Sequence, residues 1–339
     1  MRILIIGGTG TISTVAVSEL AARGHALTVF NRSQTAERYE GEVTRVTGDR
    51  TRHAEFESQI AALGVFDCVM DMVGFTPADA DSALRAFTGR CGQYIFCSTV
   101  DVYAKVGAGF PTTELRPLGG VSQYAKDKQR CEEILNAAHA RGDINLTILR
   151  PATIYGAGSP PSHTFGRGTG FLDRVRKGKP VVVHGDGSSI WCWCYCDDAG
   201  RAFANAAGNT RAFGRAYHVA GEERMTWAHY YGCVAQALGA PGPRIVPIPT
   251  GVLARIAPER AKSTLENYQF NNLFDTAAAR ADLDFRYTVP VVDGVGRYYA
   301  WLAANDRIVN SDEDTFEDDL IARWQESIGA LANGIEHRP

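Results

Sequence analysis

At 339 residues the chain is too long for one small core and fits one large α/β domain or two domains. Its apolar share of 45% and charged share of 22% are those of a soluble globular protein, and a net charge of −3 gives no basic footprint for nucleic acid. No apolar run reaches the roughly 18 residues of a membrane helix, no secretory leader pattern precedes the first strand, and the eight Cys lack disulfide-scaffold spacing. A cytoplasmic protein with no membrane partner is expected.

Residues 2–6 (RILII) read as a buried parallel strand running straight into Gly7, Gly8 and Gly10, and residues 11–23 carry an amphipathic helical pattern. A lone glycine pattern fits an ordinary tight turn. Between such a strand and such a helix, a G-x-x-G-x-x-G turn points to dinucleotide binding. Gly7 permits the turn and Gly10 lets the backbone approach a pyrophosphate. Thr11 and Ile12 open the helix whose free amides would meet its charge. Ser13 replaces the third glycine and is small enough to keep helix and strand close.

Strands are expected next at 26–31, 42–47, 68–72, 93–98 and 145–150, with helices at 52–62, 78–87 and 123–141. Repeated βα units of this kind predict a Rossmann-type α/β fold, a doubly wound parallel sheet over 1–150 that also receives 190–220. The composition changes near Pro151, and Gly, Pro, Ser and Thr crowd 156–170 as in a loop over a ligand. Short strands at 181–183 and 190–195 and helices at 197–207 and 227–238 follow. Residues 151–189 and 221–339 are expected to form a smaller, substrate-binding C-terminal lobe. No internal repeat or low-complexity segment is present.

Tyr124 and Lys128 stand four apart on the 123–141 helix and so share a face. A tyrosine pKa near 10 is too high for a base at neutral pH, and a nearby lysine cation lowers it. Alone, the pair reads as a solvated Tyr and Lys. Here it follows a strand ending in Ser98-Thr99, in a sheet with a dinucleotide turn, and that conjunction points to chemistry.

Four motifs in order, GGTGTIS from Gly7, CSTVDVY from Cys97, YAKDK from Tyr124 and LRPATIYGAG from Leu149, resemble the extended short-chain dehydrogenase/reductase family, in its NAD-dependent epimerase/dehydratase group. The resemblance implies that Tyr124 takes a proton from a substrate hydroxyl while hydride passes to nicotinamide. Lys128 would hold the nicotinamide ribose and tune Tyr124, and Thr99, with Ser98 beside it, would bond the reacting oxygen. Val73, Gly74, Pro151, Ala152 and Ile154 are expected against the cofactor, and Phe75 and Tyr155 against the substrate. A small sugar-type substrate (a nucleotide sugar, a nucleoside or a related molecule) is implied, with a homodimer as one possible assembly.

Two departures bear on the reaction. The dehydratase branch has Asp-Glu after the threonine, whereas this chain has Val100 and Asp101. The missing acid disfavours 4,6-dehydration. Asp101 reads equally as a base beside a transient ketone and as a solvated strand-end carboxylate. Many relatives also carry an Arg-Asp-Tyr-Ile-His-Val run whose Arg binds a nucleotide diphosphate, and Trp191 stands in its place. An indole stacks on a base or sugar but cannot neutralise a diphosphate, which leaves room for a nucleoside, a monophosphate or an unactivated sugar. Arg167, Arg174, Arg260 and Lys262 are alternative phosphate contacts, though each reads first as a surface charge.

The strand at 26–31 ends in Asn31, followed by Arg32. An acid at the strand end would repel the 2′-phosphate of NADP, and here it is missing, while Arg32 offers a forked donor. Asp49 in relatives meets the adenine edge. NADP is therefore expected, with NAD possible. The other reading is that Asn31 caps a turn and Arg32 points to solvent. No metal is expected, since Cys192, Cys194 and Cys196 would lie along one strand face and the His residues (25, 53, 139, 163, 184, 218, 229, 337) are scattered singly. The competing class is a binding module resembling the chloroplast RNA-associated branch of the family, or a dinucleotide-sensing regulator. Intact Thr99, Tyr124 and Lys128 favour an enzyme.

Overall fold

The computed structural model describes residues 1–105 and 109–336. Its contacts form two compact units. The first comprises Met1–Ser159, Cys192–Glu222 and Leu273–Val289, and the second Pro160–Trp191, Glu223–Asn272 and the chain from Pro290.

In the first unit β1 (Arg2–Ile6), β2 (Ala26–Asn31), β3 (Thr44–Thr47), β4 (Cys68–Asp71), β5 (Tyr94–Cys97) and β6 (Leu146–Pro151) join the strand Arg215–Val219. Together they make a seven-stranded parallel sheet in the order Arg215–Val219, β6, β5, β4, β1, β2, β3. This is the doubly wound Rossmann-type fold expected from the alternating pattern. Helices α1 (Thr11–Ala22), α2 (His53–Leu63), α3 (Pro77–Phe87) and α4 (Gln123–Arg141) connect the strands. Ile3, Leu4, Ile5 and Ile6 are fully buried, as a central strand covered on both faces requires. One face packs Leu4, Phe30, Phe56, Phe87, Phe96 and Leu135 into a single apolar cluster. Strand order reverses between β1 and β4, which opens a crevice at their carboxyl ends where such sheets bind ligands.

Two sequence expectations need correction. Leu273–Val289 belongs to the first unit rather than to the smaller lobe, and that unit continues past 150 to Ser159. The reason is polar. Buried Asp198 accepts the amides of Thr288 at 2.8 Å and Val289 at 3.1 Å, and Asp282 accepts the Tyr217 hydroxyl at 3.0 Å. These bonds hold helix Ala277–Leu283 against the outer strand. The single strand expected at 190–195 is two pieces: Ile190–Trp191 pairs antiparallel with Met225–Thr226, and Trp193–Tyr195 pairs parallel with Thr153–Tyr155. The chain changes partner at Cys192, and Cys196 already begins the helix Cys196–Ala206. The three cysteines therefore do not form one row on a strand, and each is buried.

In the second unit Val181–His184 pairs with Ile245–Ile248, and the helices Trp227–Ala237 and Val291–Ala304 pack together. Val182, Ile248, Leu253, Leu320 and Ile321 form its core. Helix Phe316–Glu336 also brings Glu317 inward, where Oε1 accepts the Val182 amide at 2.6 Å and Oε2 lies 3.4 Å from Arg174 Nε. Burial outweighs both contacts and pushes this carboxyl up to about 7. A raised acid pKa means that the folded state binds more protons than the unfolded one, so stability falls as pH rises from about 4.5 towards 7. Glu317→Gln keeps the acceptor and removes the charge. Relative to its effect near pH 4, it is expected to add about 1–3 kcal/mol of stability near pH 8. Urea unfolding at both pH values checks this, and an equal effect at the two would contradict it.

Candidate active site

The chain leaves β1 through Gly7 and Gly8, whose φ angles of 114° and 81° are costly for any residue with a Cβ. A Cβ on Gly8 would lie 2.4 Å from Val29 Cγ1, and one on Gly7 3.2 Å from Val73 Cγ1. The turn thus lets the backbone run tightly between β2 and the end of β4. The Gly10 amide donates to Ser13 Oγ at 2.9 Å, so the serine that replaces the third glycine ties down the start of α1. Among the described residues a Cβ on Gly10 would meet only that oxygen, at 3.3 Å. An open glycine surface beside the first-turn amides of Thr11 and Ile12 fits the pyrophosphate of a dinucleotide.

At the end of β2, Asn31 Oδ1 accepts the Ser33 amide at 2.7 Å, so Asn31 does cap a turn, and Arg32 is exposed. Asp49 Oδ1 accepts the amide and hydroxyl of Thr51 at 2.9 and 2.8 Å. Those bonds, with smaller contributions from Arg32 and Arg52, hold its carboxyl below the usual range. The end of β4 is fixed by Asp71, which is fully buried. Its carboxylate accepts the Val73 amide at 3.0 Å and the Tyr94 hydroxyl at 2.6 Å. Asp79 then accepts the amides of Phe75 and Thr76 at 3.0 and 2.9 Å, which sets the loop carrying Val73, Gly74 and Phe75.

Ser122 caps α4 by accepting the Ala125 amide, and the helix delivers Tyr124 and Lys128 one turn apart. Lys128 is 1% exposed, and its Nζ donates to Gly74 O at 2.7 Å and Cys97 O at 2.6 Å. The ammonium also lies over the rings of Phe75 and Phe96, at 4.8 and 4.7 Å. Both carbonyls follow strand ends of the sheet, so the lysine cation is fixed at its carboxyl edge. Tyr124 is 43% exposed, with its ring 6.4 Å from that of Phe75. Phe75, Gly74, Tyr124 and Lys128 thus meet at one place, and Thr99 stands two residues beyond Cys97.

Thr99 Oγ1 accepts the Asp101 amide at 3.2 Å, which begins the short turn Val100–Val102. Asp101 pairs with Lys105 at 3.2 Å. Ser98 is turned to other work: its hydroxyl donates to Glu132 at 2.5 Å, deep in the protein. Glu132 is held in turn by Arg150 at 2.9 and 2.5 Å, and Arg150 donates to the Tyr103 hydroxyl at 2.5 Å. The Tyr103 hydroxyl is 2.6 Å from His218 Nε2. Burial lowers the His218 pKa, against the opposing pull of Glu114 and the Asp275 carbonyl. Sequence reasoning missed this buried chain, although Glu132 lies one helical turn beyond Lys128.

Of the remaining expected residues, Pro151 ends β6 and the Ala152 amide donates to Val219 O at 2.9 Å. Ile154 and Tyr155 are buried in a short strand, with the Tyr155 ring edge-on to Tyr195 at 5.4 Å. Trp191 belongs to the second unit, 2% exposed, with its ring 5.6 Å from Trp227 and 5.1 Å from Tyr268. Among the described residues no group of three His, Cys, Asp or Glu could hold a metal ion, and His337 lies outside them.

Residues 3–220 match the model of a family described as the NAD dependent epimerase/dehydratase family. The chain belongs to this family. Among its relatives is the 2'-dehydrokanamycin reductase of Streptomyces kanamyceticus, 30% identical over 71% of this chain and 68% of that one. The chloroplast stem-loop binding protein of 41 kDa b from Arabidopsis thaliana is 30% identical over 72% of this chain and 65% of its own length. The UDP-glucose 4-epimerase of Bifidobacterium longum, solved with NAD+ and UDP, superposes with a TM-score of 0.72 at 18% identity. That superposition covers 91% of this chain and all of the other, and it shows the shared epimerase/dehydratase fold. Among the described residues of this family member, no helix is long and apolar enough to cross a membrane.

Proposed function

We propose that the protein is an NAD(P)-dependent epimerase or oxidoreductase acting on a sugar moiety, with Tyr124 as its acid/base. The observation that carries this reading is Lys128, a buried cation held by Gly74 O and Cys97 O one helical turn from the exposed Tyr124. Such a cation favours the phenolate and so readies Tyr124 to take or return a proton at a substrate hydroxyl or carbonyl oxygen. Thr99 would donate its hydroxyl proton to that same oxygen. A nicotinamide dinucleotide, when bound, supplies or accepts the hydride. Gly7, Gly10, Thr11 and Ile12 would hold its pyrophosphate, Asp49 would meet the adenine edge, and Val73 and Gly74 would line its path across the sheet. The relative named a reductase supports the oxidoreductase form of the reaction. The relative named a stem-loop binding protein favours a second reading, a binding role on the same fold. Retention of Thr99, Tyr124 and Lys128, with a net charge of −3, weighs towards the enzyme.

Arg32 makes NADP the cofactor to expect, and the absence of an acid at Asn31 removes what would reject it. Calorimetric titration of dinucleotide-free protein should show NADP binding more tightly than NAD. Arg32→Ala should weaken NADP about tenfold or more and leave NAD nearly unchanged, the scale of one charge-assisted contact of about 1.5–3 kcal/mol. Equal affinities, unmoved by the substitution, would remove Arg32 as a phosphate ligand. Trp191→Ala addresses the substrate: tight binding of a diphosphate sugar that survives this change would exclude Trp191 from the substrate pocket.

A further inference from the structure

The second unit contains a cavity of about 530 Å³ with no counterpart in the chemistry described above. Three of the four cations that the sequence offered as phosphate contacts line it together: Arg167, Arg174 and Arg260. Its apolar walls are Phe165, Phe171 and Phe316. His163 stacks on Phe171 with ring centres 4.9 Å apart and planes 14° from parallel, and Phe165 meets Phe316 edge-on at 5.3 Å. Trp191 and its aromatic neighbours Trp227 and Tyr268 do not line it.

The charges in this cavity are unevenly satisfied. Arg260 is paired with Asp314 at 2.7 Å and lies over the Phe316 ring at 4.2 Å. Arg174 is 3% exposed; its Nε and Nη2 donate to Pro180 O at 3.2 and 2.8 Å, and Nη2 also reaches Asp318 at 2.7 Å. Its Nη1 is buried and has no hydrogen-bond partner among the described residues. A buried guanidinium N–H is costly to leave unmade, and a carboxylate or phosphate oxygen is the acceptor that suits it best. Asp318 and Asp314 thus pair with Arg174 and Arg260, and burial pushes the carboxyl of Glu317, which also lines the cavity, up to about 7. His163 stays neutral at that pH, since burial pushes it down to about 4.

We propose that this cavity is a binding site for a small aromatic anion, an aryl carboxylate or aryl phosphate. Its charged group would take the hydrogen bond of Arg174 Nη1 in the field of Arg167, and its ring would lie against Phe165 and Phe171. Aromatic walls and convergent donors are the two features that such a ligand needs. The proposal is independent of the chemistry assigned to Tyr124.

Titration of the full chain with phenyl phosphate, benzoate and inorganic phosphate tests it. At least one aryl anion should bind at least roughly tenfold more tightly than inorganic phosphate, and the tighter of the two names the preferred charged group. Arg174→Gln should weaken that binding about tenfold or more. Arg174 also bonds Pro180 and Asp318, so two milder variants guard against misfolding. Arg167→Ala removes an exposed cation. Gly168→Leu fills the cavity where, among the described residues, a Cβ would meet only His163 Nε2, at 3.4 Å. Both should weaken the aryl anion while the unfolding midpoint stays near that of the parent. Failure of both aryl anions to bind at millimolar concentration, inorganic phosphate binding as tightly, or affinity unmoved by Gly168→Leu and Arg167→Ala would each overturn the proposal.

Discussion

Replacing Tyr124 with Phe is expected to cut turnover by about a hundredfold or more while leaving dinucleotide affinity nearly unchanged, since the loss is that of a positioned proton donor and acceptor. The ring is 43% exposed, so removing its hydroxyl opens no cavity and breaks no core packing. Lys128 keeps its bonds to Gly74 O and Cys97 O in the variant, so the cofactor face should persist. Steady-state turnover beside calorimetric cofactor binding separates the two effects. A variant that turns over its substrate at the parent rate would exclude Tyr124 as the acid/base.

Arg150→Met is expected to be the most damaging single change to stability. Arg150 is 5% exposed and Glu132 1% exposed, and they share a two-pronged ion pair. Removing the guanidinium leaves a buried carboxylate with the Ser98 hydroxyl as its side-chain donor among the described residues and strips Tyr103 of its charged partner. Breaking one side of such a pair costs about 3–5 kcal/mol. Adding Glu132→Gln to Arg150→Met removes the stranded charge and should restore part of that loss. Denaturant unfolding of the parent, the single and the double variant forms the check. A single variant within about 1 kcal/mol of the parent would show that the buried pair does not carry that stability.

Much of the first unit was legible because central parallel strands are continuous apolar runs, as Ile3–Ile6 and Cys68–Met70 are. The spacing of Tyr124 and Lys128 was legible for the same local reason, since one helical turn fixes a shared face. What holds Lys128 was not: Gly74 and Cys97 contribute backbone carbonyls, and every residue has one. Glu132, Arg150 and Tyr103 stand 18 and 47 positions apart along the chain, and only the packing of β5, β6 and α4 makes them a chain of bonds. The second unit was harder to read because its strands are two to four residues long, and Val181–His184 and Ile190–Trp191 find partners far along the chain. The break at Cys192, where the chain changes strand partner, leaves no mark in the alternation of Trp and Cys.

In the proposed reaction, hydride moves between a bound nicotinamide and a sugar carbon under the control of Tyr124. Its most direct test is stopped-flow absorbance of reduced nicotinamide. Protein loaded with oxidised dinucleotide, its identity fixed by mass after denaturation, is mixed with nucleotide sugars, nucleosides and unactivated sugars. At least one class should give a transient or lasting band of reduced nicotinamide in the parent, about a hundredfold slower in Tyr124→Phe. A band that forms equally fast in both proteins would contradict the assignment of Tyr124. Dinucleotide-loaded parent that forms no band with any of these sugars, yet binds RNA, would contradict the enzyme reading itself.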